Sequence, residues 1–469
     1  MSISSERPLL GLTARHLEPL QTELATYLDH FGSVWQRREQ EEHGHLYLRG
    51  LLATLPNKSV ETMMLHLQGA DPGAIRNMQH FLSQGSWQDE AVLRIHWREV
   101  AQTLGDENGV LIVDDSGFPK QGNDSVGVKR QWCGQLGKRA NCQVGVFLAY
   151  ASQQGATLLN RRLYLPQEWV ESPKYAARRR KCGVPADIRF QTKTELAAEM
   201  VQQHQADGQL PYRWLACDEA YGRSPEFLDQ VGQSLSYFAE VEGRTRVWST
   251  RPLTELPADS GQGRPPKRWQ LVAGEPQAEA VSALVAQLPE SAWSRQIIKE
   301  GSKGPIVADF LALPVVAVRQ KLPGPDVWLV VRRHPESGDC KYYLSNAPAD
   351  TPLASFVWLS GMRWPIETCF EDAKQELGLG DYQLRGWTGW HHHMTLCLLA
   401  HFFLVRLKLN LKDEAPDLTL PQAILLLKVG LDQPHLDAAQ TIEIVDYYQR
   451  RHYEAYLAHR KRRLHSDET

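Results

Sequence analysis

The sequence has no Cys-x-x-Cys pair, no Gly-x-Ser-x-Gly elbow, no internal repeat and no low-complexity tract. Each absence removes a class of protein. Its 7 cysteines are scattered and odd in number, and only Cys133 and Cys142 lie close together. Reduced thiols of a cytoplasmic protein therefore fit better than a disulfide framework or a structural zinc site. Without the elbow, Ser116 does not read as a hydrolase nucleophile. The longest apolar run, Met394 to Leu404, is too short for a bilayer and contains His401. The start of the chain lacks a basic region leading into an apolar run, so no secretory signal is expected and no membrane partner is implied.

A large excess of one charge is also missing. The net charge of −3 excludes a uniformly basic coat but leaves room for local patches. Three are present: Lys174 with Arg178, Arg179, Arg180 and Lys181; Arg244 to Arg251 with Arg264 to Arg268; and Arg460 to Arg463. Any one of them reads equally well as solvated surface. Three in one chain lean toward phosphate contacts.

A length of 469 residues exceeds a usual single core, so two to four structural units are expected. Residues 1–105 show helical apolar spacing, as in Leu17-Leu20-Leu24-Leu28, and form a candidate DNA-binding region or a bundle that caps the rest. Residues 106–242 change period, with buried-strand runs at Val110–Val113 and Tyr212–Cys217, a meander between them and a helix from Thr192. Residues 243–350 read as a mostly β insertion. Residues 351–410 carry a helix opened by Pro365 and a second apolar helix. Residues 411–469 are helical and increasingly basic. The fold class is α/β, with helical regions flanking a mixed sheet.

Two of the apolar strands run into acids: Asp114-Asp115 before Ser116-Gly117, and Asp218-Glu219 after Cys217. A third acid, Glu367, sits in the first turn of the helix at Pro365, where the helix dipole favours a carboxylate. Arg363, Glu367, Glu371 and Lys374 fall near one face of that helix. Phosphodiester chemistry with two metal ions needs carboxylates from separate elements converging on ions roughly 3.5–4 Å apart. Strand-end acids joined by one from a neighbouring helix can supply that arrangement. Alternation in the strand does not choose between Asp114 and Asp115. Position favours Asp115, expected as the last strand residue before the turn.

The residues Val113-Asp-Asp-Ser-Gly-Phe-Pro-Lys120, Gln131-Trp-Cys-Gly-Gln-Leu-Gly-Lys-Arg-Ala-Asn-Cys-Gln-Val-Gly145, Arg162-Leu-Tyr-Leu-Pro166, Asp218-Glu-Ala-Tyr-Gly222 and Arg363-Trp-Pro-Ile-Glu367 together resemble the DDE transposases of bacterial insertion sequences, in the insertion sequence 701 group. The resemblance covers at least residues 110–400. It implies an RNase H-like core at 106–242 and 351–410, interrupted by the β insertion. Asp115, Asp218 and Glu367 would be catalytic and would hold two Mg2+ ions, with Mn2+ able to substitute. The substrate would be double-stranded DNA, both transposon terminal inverted repeats and target, synapsed by a homodimer associated with the bacterial nucleoid.

Arg363, Glu367 and Lys374 match the Arg, Glu and Lys of the family's Tyr-Arg-Glu-Lys signature, whereas its Tyr position falls on Ser360. Arg363 and Lys374 are expected to meet phosphates, as are Lys120, Arg130, Lys138 and Arg139 around the first acid. His391-His392-His393 cannot all ligate one ion, because consecutive helix residues face different ways; packing or phosphate contact is the preferred reading. Trp248 and Trp269 could stack on a base but read better as packing. Two rivals share parts of this pattern: an RNase H-like nuclease unconnected with transposition, and a catalytically silent DNA-binding regulator.

Overall fold

The computed structural model describes residues 11–257, 267–301, 304–431 and 437–466. Its N-terminal part forms α1 (Leu20–Asp29), α2 (Arg38–Leu52), α3 (Val60–Gln68), α4 (Pro72–Gln84) and α5 (Asp89–Leu104). Side chains set two of these starts. Ser59 accepts the Thr62 N–H at the head of α3, and Asp71 accepts the Gly73 N–H at the head of α4, beside Pro72.

The strands β1 (Val110–Pro119), β2 (Lys129–Cys133), β3 (Lys138–Ala151) and β4 (Ala156–Tyr164) follow, then α6 (Gln167–Glu171), α7 (Ala176–Lys181) and α8 (Lys193–Asp207). A reciprocal capping box of Thr192 and Glu195 opens α8. Next come β5 (Trp214–Cys217), α9 (Glu219–Gly222), α10 (Pro225–Val231) and β6 (Ser236–Val241). The core sheet runs β4-β3-β1-β5-β6. β1 is antiparallel to β3 and parallel to β5, and β5 is parallel to β6.

The β-rich interruption comprises β7 (Arg246–Trp248), β8 (Thr254–Glu255), β9 (Gln270–Leu271), β10 (Glu279–Ala280), α11 (Val281–Ala286), β11 (Ser294–Gly301), β12 (Gly304–Arg319), β13 (Leu322–Arg333) and β14 (Cys340–Ser345). It interrupts the sequence but not the sheet. β14 pairs antiparallel with β6, and β13, β12 and β7 continue the same sheet outward. The chain then forms α12 (Leu353–Met362), α13 (Trp364–Glu376), α14 (Trp387–Asn410), α15 (Leu420–Gly430) and α16 (Ala438–Ser466).

α14 is buried along most of its length, from Gly389 to Leu407, which explains why its sequence is apolar all round rather than amphipathic. It crosses β4 and is wrapped by α2, α4, α5 and α15. The N-terminal helices thus pack around α14. Lys58 ties them to α13: its buried ammonium donates to the carbonyl oxygens of Leu51, in α2, and Glu376, in α13. Burial pushes its pKa down to about 8. Among the described residues no helix is long and apolar enough to cross a membrane.

Candidate active site

The acids gather at the carboxyl ends of the parallel strands. β1 and β5 are in register up to Val113 opposite Cys217, and β5 and β6 up to Cys217 opposite Ala239. The next residue on each strand is an acid: Asp114, Asp218 and Glu240. Neighbours at one level of a parallel sheet point to the same face, so these three form a row.

That face is the one covered by α13 and α14. Asp114 stands opposite Phe147 of β3, and the Phe147 ring packs 5.1 Å from Phe370 of α13 and 6.5 Å from Trp390 of α14. Asp115 stands opposite Val146 and faces the other way. Its Oδ2 is 2.8 Å from the Lys193 ammonium at the start of α8. The expectation that Asp115 closes its strand also fails. β1 runs on to Pro119, paired with β3 as far as Cys142. Gly117 permits this, because a Cβ there would come within 2.8 Å of the Cys133 sulfur. The premise of position therefore fails, although Asp115 still directly precedes Ser116 and remains near enough to raise the pKa of Asp218.

The site is electrostatically strained. Burial, then Asp218, then Asp115 push the Asp114 carboxyl up to about 8. Burial also raises Asp218, opposed by the N–H groups of Tyr221 and Ala220 and by Arg363. Arg363 is the common counter-charge. Its guanidinium lies 3.2 Å from Glu240 and 2.9 Å from Glu367, which is one turn along α13. Desolvation works against its charge; Glu240, Glu367 and Asp114 favour it. Lys341 holds Glu240 from the other side at 3.0 Å. Lys374 stands 5.5 Å over the Phe118 ring and feels both Cys133 and Asp114.

Glu240 escaped the sequence reading. Its signal was available: a charged residue one step from the end of a third apolar strand, as at Asp114 and Asp218. Among the described residues no group of three His, Cys, Asp or Glu side chains stands ready to hold a metal ion, and Arg363 engages Glu367. The donor chemistry nonetheless suits a hard cation. Asp114 and Asp218 are adjacent carboxylates whose ionisation burial opposes, and a bound cation would offset that.

The other expected residues divide. Lys120 turns inward: its ammonium donates to the Tyr382 carbonyl at 3.0 Å and lies 3.4 Å from the centre of the Tyr382 ring. Burial lowers its pKa to about 8, and its ammonium is already engaged by Tyr382. Arg130, Lys138 and Arg139 lie on the β2–β3 ribbon beyond Gly117. Ser360 is buried and donates to the Val357 carbonyl. It borders a cleft of about 430 Å³ between the β interruption and α12–α13, together with Tyr343, Arg332, Lys341 and Arg363. Trp248 is buried and donates to the Pro276 carbonyl, whereas Trp269 is exposed.

The three histidines on α14 serve packing. His391 bonds to the Trp387 carbonyl, His392 to the Leu82 carbonyl and His393 to the Tyr47 hydroxyl. Burial depresses all three, His392 to about 4. In the α7 patch, Arg179 donates to the Val170 carbonyl and Lys181 pairs with Asp124. Arg244 and Arg251 pair with Glu242 and Asp326. Arg264 and the side chains of Arg460, Arg462 and Arg463 lie outside the described residues.

Acids at adjacent parallel strand ends of a mixed α/β sheet, beneath a helix carrying another, are the arrangement expected of a carboxylate-dependent nuclease. Comparison with known proteins agrees. The family described as DDE superfamily endonuclease matches residues 26–305, a span that includes Asp114, Asp115 and Asp218 and stops before Glu367. The chain belongs to the DDE superfamily endonucleases. It is 24% identical over 314 residues to a probable transposase for insertion sequence element IS701 from Microchaete diplosiphon, covering 66% of this chain and 68% of that one. A piggyBac transposase in a synaptic complex with hairpin DNA, solved by cryo-EM, aligns over 93% of this chain and 84% of that one at 10% identity with a TM-score of 0.39, too low to establish a common topology.

Proposed function

We propose that this chain is a DDE transposase with an RNase H-like core. In this reading it binds the terminal inverted repeats of an insertion sequence, cleaves phosphodiester bonds there and joins the 3′ ends to target DNA. The observation that carries it is the row of strand-end acids on the side of α13, where Glu367 also lies. The order β4-β3-β1-β5-β6, in which only β3 runs against the other four strands, supports the RNase H-like assignment.

Asp218 and Glu367 are proposed as metal ligands, as the sequence suggested. From β1 we propose Asp114 rather than Asp115, because Asp114 shares their side and Asp115 is engaged by Lys193. Mg2+, with Mn2+ as substitute, would activate the attacking water or 3′-hydroxyl and stabilise the leaving oxygen. The chain's own residues prepare for this. Asp218 is oriented by the N–H groups at the start of α9. Arg363 holds Glu367 at 2.9 Å; were Glu367 to hold an ion instead, the guanidinium would be available to a phosphate oxygen. Glu240 and Lys341 fix the place from which Arg363 acts. Lys374, over Phe118, adds positive charge beside Asp114. A homodimer is proposed because two ends must meet one target.

The test is nicking of DNA that carries the inverted repeats flanking the gene. Cleavage confined to those repeats, dependent on Mg2+ or Mn2+ and abolished by Asp218→Asn, supports the reading. Metal-dependent cleavage indifferent to the repeats favours a general nuclease. Sequence-specific binding without cleavage favours a silent regulator.

A further inference from the structure

The two-stranded ribbon of β2 and β3 has two unlike faces. Opposite residues in an antiparallel pair point the same way. Gln131 and Cys133 face inward with Ala140 and Lys138 as their pairing partners, and Cys133 packs with Cys142 and Val144 in a small apolar cluster. The other face carries Arg130 and Trp132 on β2, with Arg139 directly opposite Trp132. All three are exposed, and the Trp132 indole is 59% exposed. Leu136, at the tip, is 43% exposed. Lys129 pairs with Glu168 at 2.7 Å, but Arg130, Lys138 and Arg139 have no ion pair among the described residues. An exposed indole beside cations that have no ion pair presents an aromatic face and positive charge together.

The ribbon is rooted at the end of β1, the strand that carries Asp114. Cys142 of β3 stands between Pro119 of β1 and Lys129 of β2, and Gly117 packs against Cys133. By alternation Arg139 shares its face of β3 with Phe147, which stands opposite Asp114. The outer face of the ribbon therefore continues the face of the sheet that carries Asp114.

We propose that the outer face of this ribbon holds a DNA strand beside the scissile phosphate, with Trp132 stacked on an unpaired base and Arg130 and Arg139 on the flanking phosphates. Charge complementarity selects nucleic acid, and the indole selects a base face that a paired duplex does not present. The inference rests on the transposase reading, since it takes the same site and names the form of its substrate.

The experiment measures binding, in EDTA, of a blunt duplex and of the same duplex interrupted by a single-stranded gap. Trp132→Ala is expected to weaken the gapped probe by about tenfold, near the lower end of what one base–aromatic stack contributes, and to leave the blunt duplex unchanged. Trp132→Phe should restore most of the loss. Arg130→Ala and Arg139→Ala should weaken both probes and each reduce the salt slope by about 0.9. Because Trp132 is exposed, thermal melting should not move. Equal losses on both probes would mean contact with a paired groove, and no loss would mean a solvated tip; either overturns the proposal. Trp132-dependent binding of the gapped probe by a protein that cleaves nothing would support the proposal while removing the nuclease reading. Cleavage indifferent to Trp132→Ala, with unchanged binding of the gapped probe, would do the reverse.

Discussion

Replacing Asp114 by Asn should stabilise the protein in EDTA at alkaline pH. The Asp114 carboxyl sits at about 8 in the folded chain, pushed there by burial, Asp218 and Asp115, against an ordinary value of 3.8. The folded state therefore keeps a proton that the unfolded chain releases above about pH 4. Stability contributed at this position is present below that pH and is lost as pH rises through about 8. At about 1.4 kcal/mol per pKa unit, the full shift would cost on the order of 6 kcal/mol, and solvent at the part-exposed strand end reduces this to roughly 2–3 kcal/mol. Asn carries no charge and keeps an oxygen for the Asp115 N–H, which Asp114 now binds at 2.7 Å. Urea unfolding in EDTA should show Asp114→Asn little changed at pH 4 and more stable than the parent by that amount at pH 8.5. Mn2+ should reverse the order, by stabilising the parent and not the variant. Asp115→Asn should instead lose roughly 0.5–1 kcal/mol with its Lys193 pair. No gain for Asp114→Asn at pH 8.5, or the gain appearing in Asp115→Asn, would refute the assignment of faces.

Arg161 is fully buried and paired with Asp89; Arg161→Leu strands that carboxylate and should cost roughly 3–5 kcal/mol in urea unfolding. Lys58→Met removes the bonds to Leu51 and Glu376; a loss of roughly 2–4 kcal/mol is expected, with faster amide exchange at the end of α13. Neutralising Arg460 to Arg463 should weaken binding to DNA of any sequence and flatten its salt dependence by about 0.9 per lost phosphate contact; an unchanged slope would leave the tail a solvated end.

Much of the sheet was legible because its strands are short apolar runs bounded by turn residues. Val110–Val113 and Trp214–Cys217 announced two central strands, and the helix read from Thr192 is α8, which a Thr192–Glu195 capping box opens. The end of β1 was not legible. Ser116-Gly117 looks like a turn, but β3 is long enough to pair with β1 through Pro119, and the close approach of Cys133 requires the glycine. The choice between Asp114 and Asp115 was hidden for a related reason. It depends on which helix covers which face, and Phe147, Phe370 and Lys193 settle that only once they are folded. Lys120 looked like a phosphate ligand because its place under Tyr382 joins residues far apart in sequence. Glu240 was visible as an acid near a strand end, and the register across β1, β5 and β6 makes it part of the row.

The central claim is that Asp114, Asp218 and Glu367 converge on divalent ions on the α13 side of the sheet. Anomalous diffraction from crystals grown with Mn2+ tests this most directly. Manganese density bounded by those three carboxylates, with Glu367 turned away from Arg363, is the expected result. Density on the Asp115–Lys193 side, or none near Asp218 at saturating Mn2+, would contradict it.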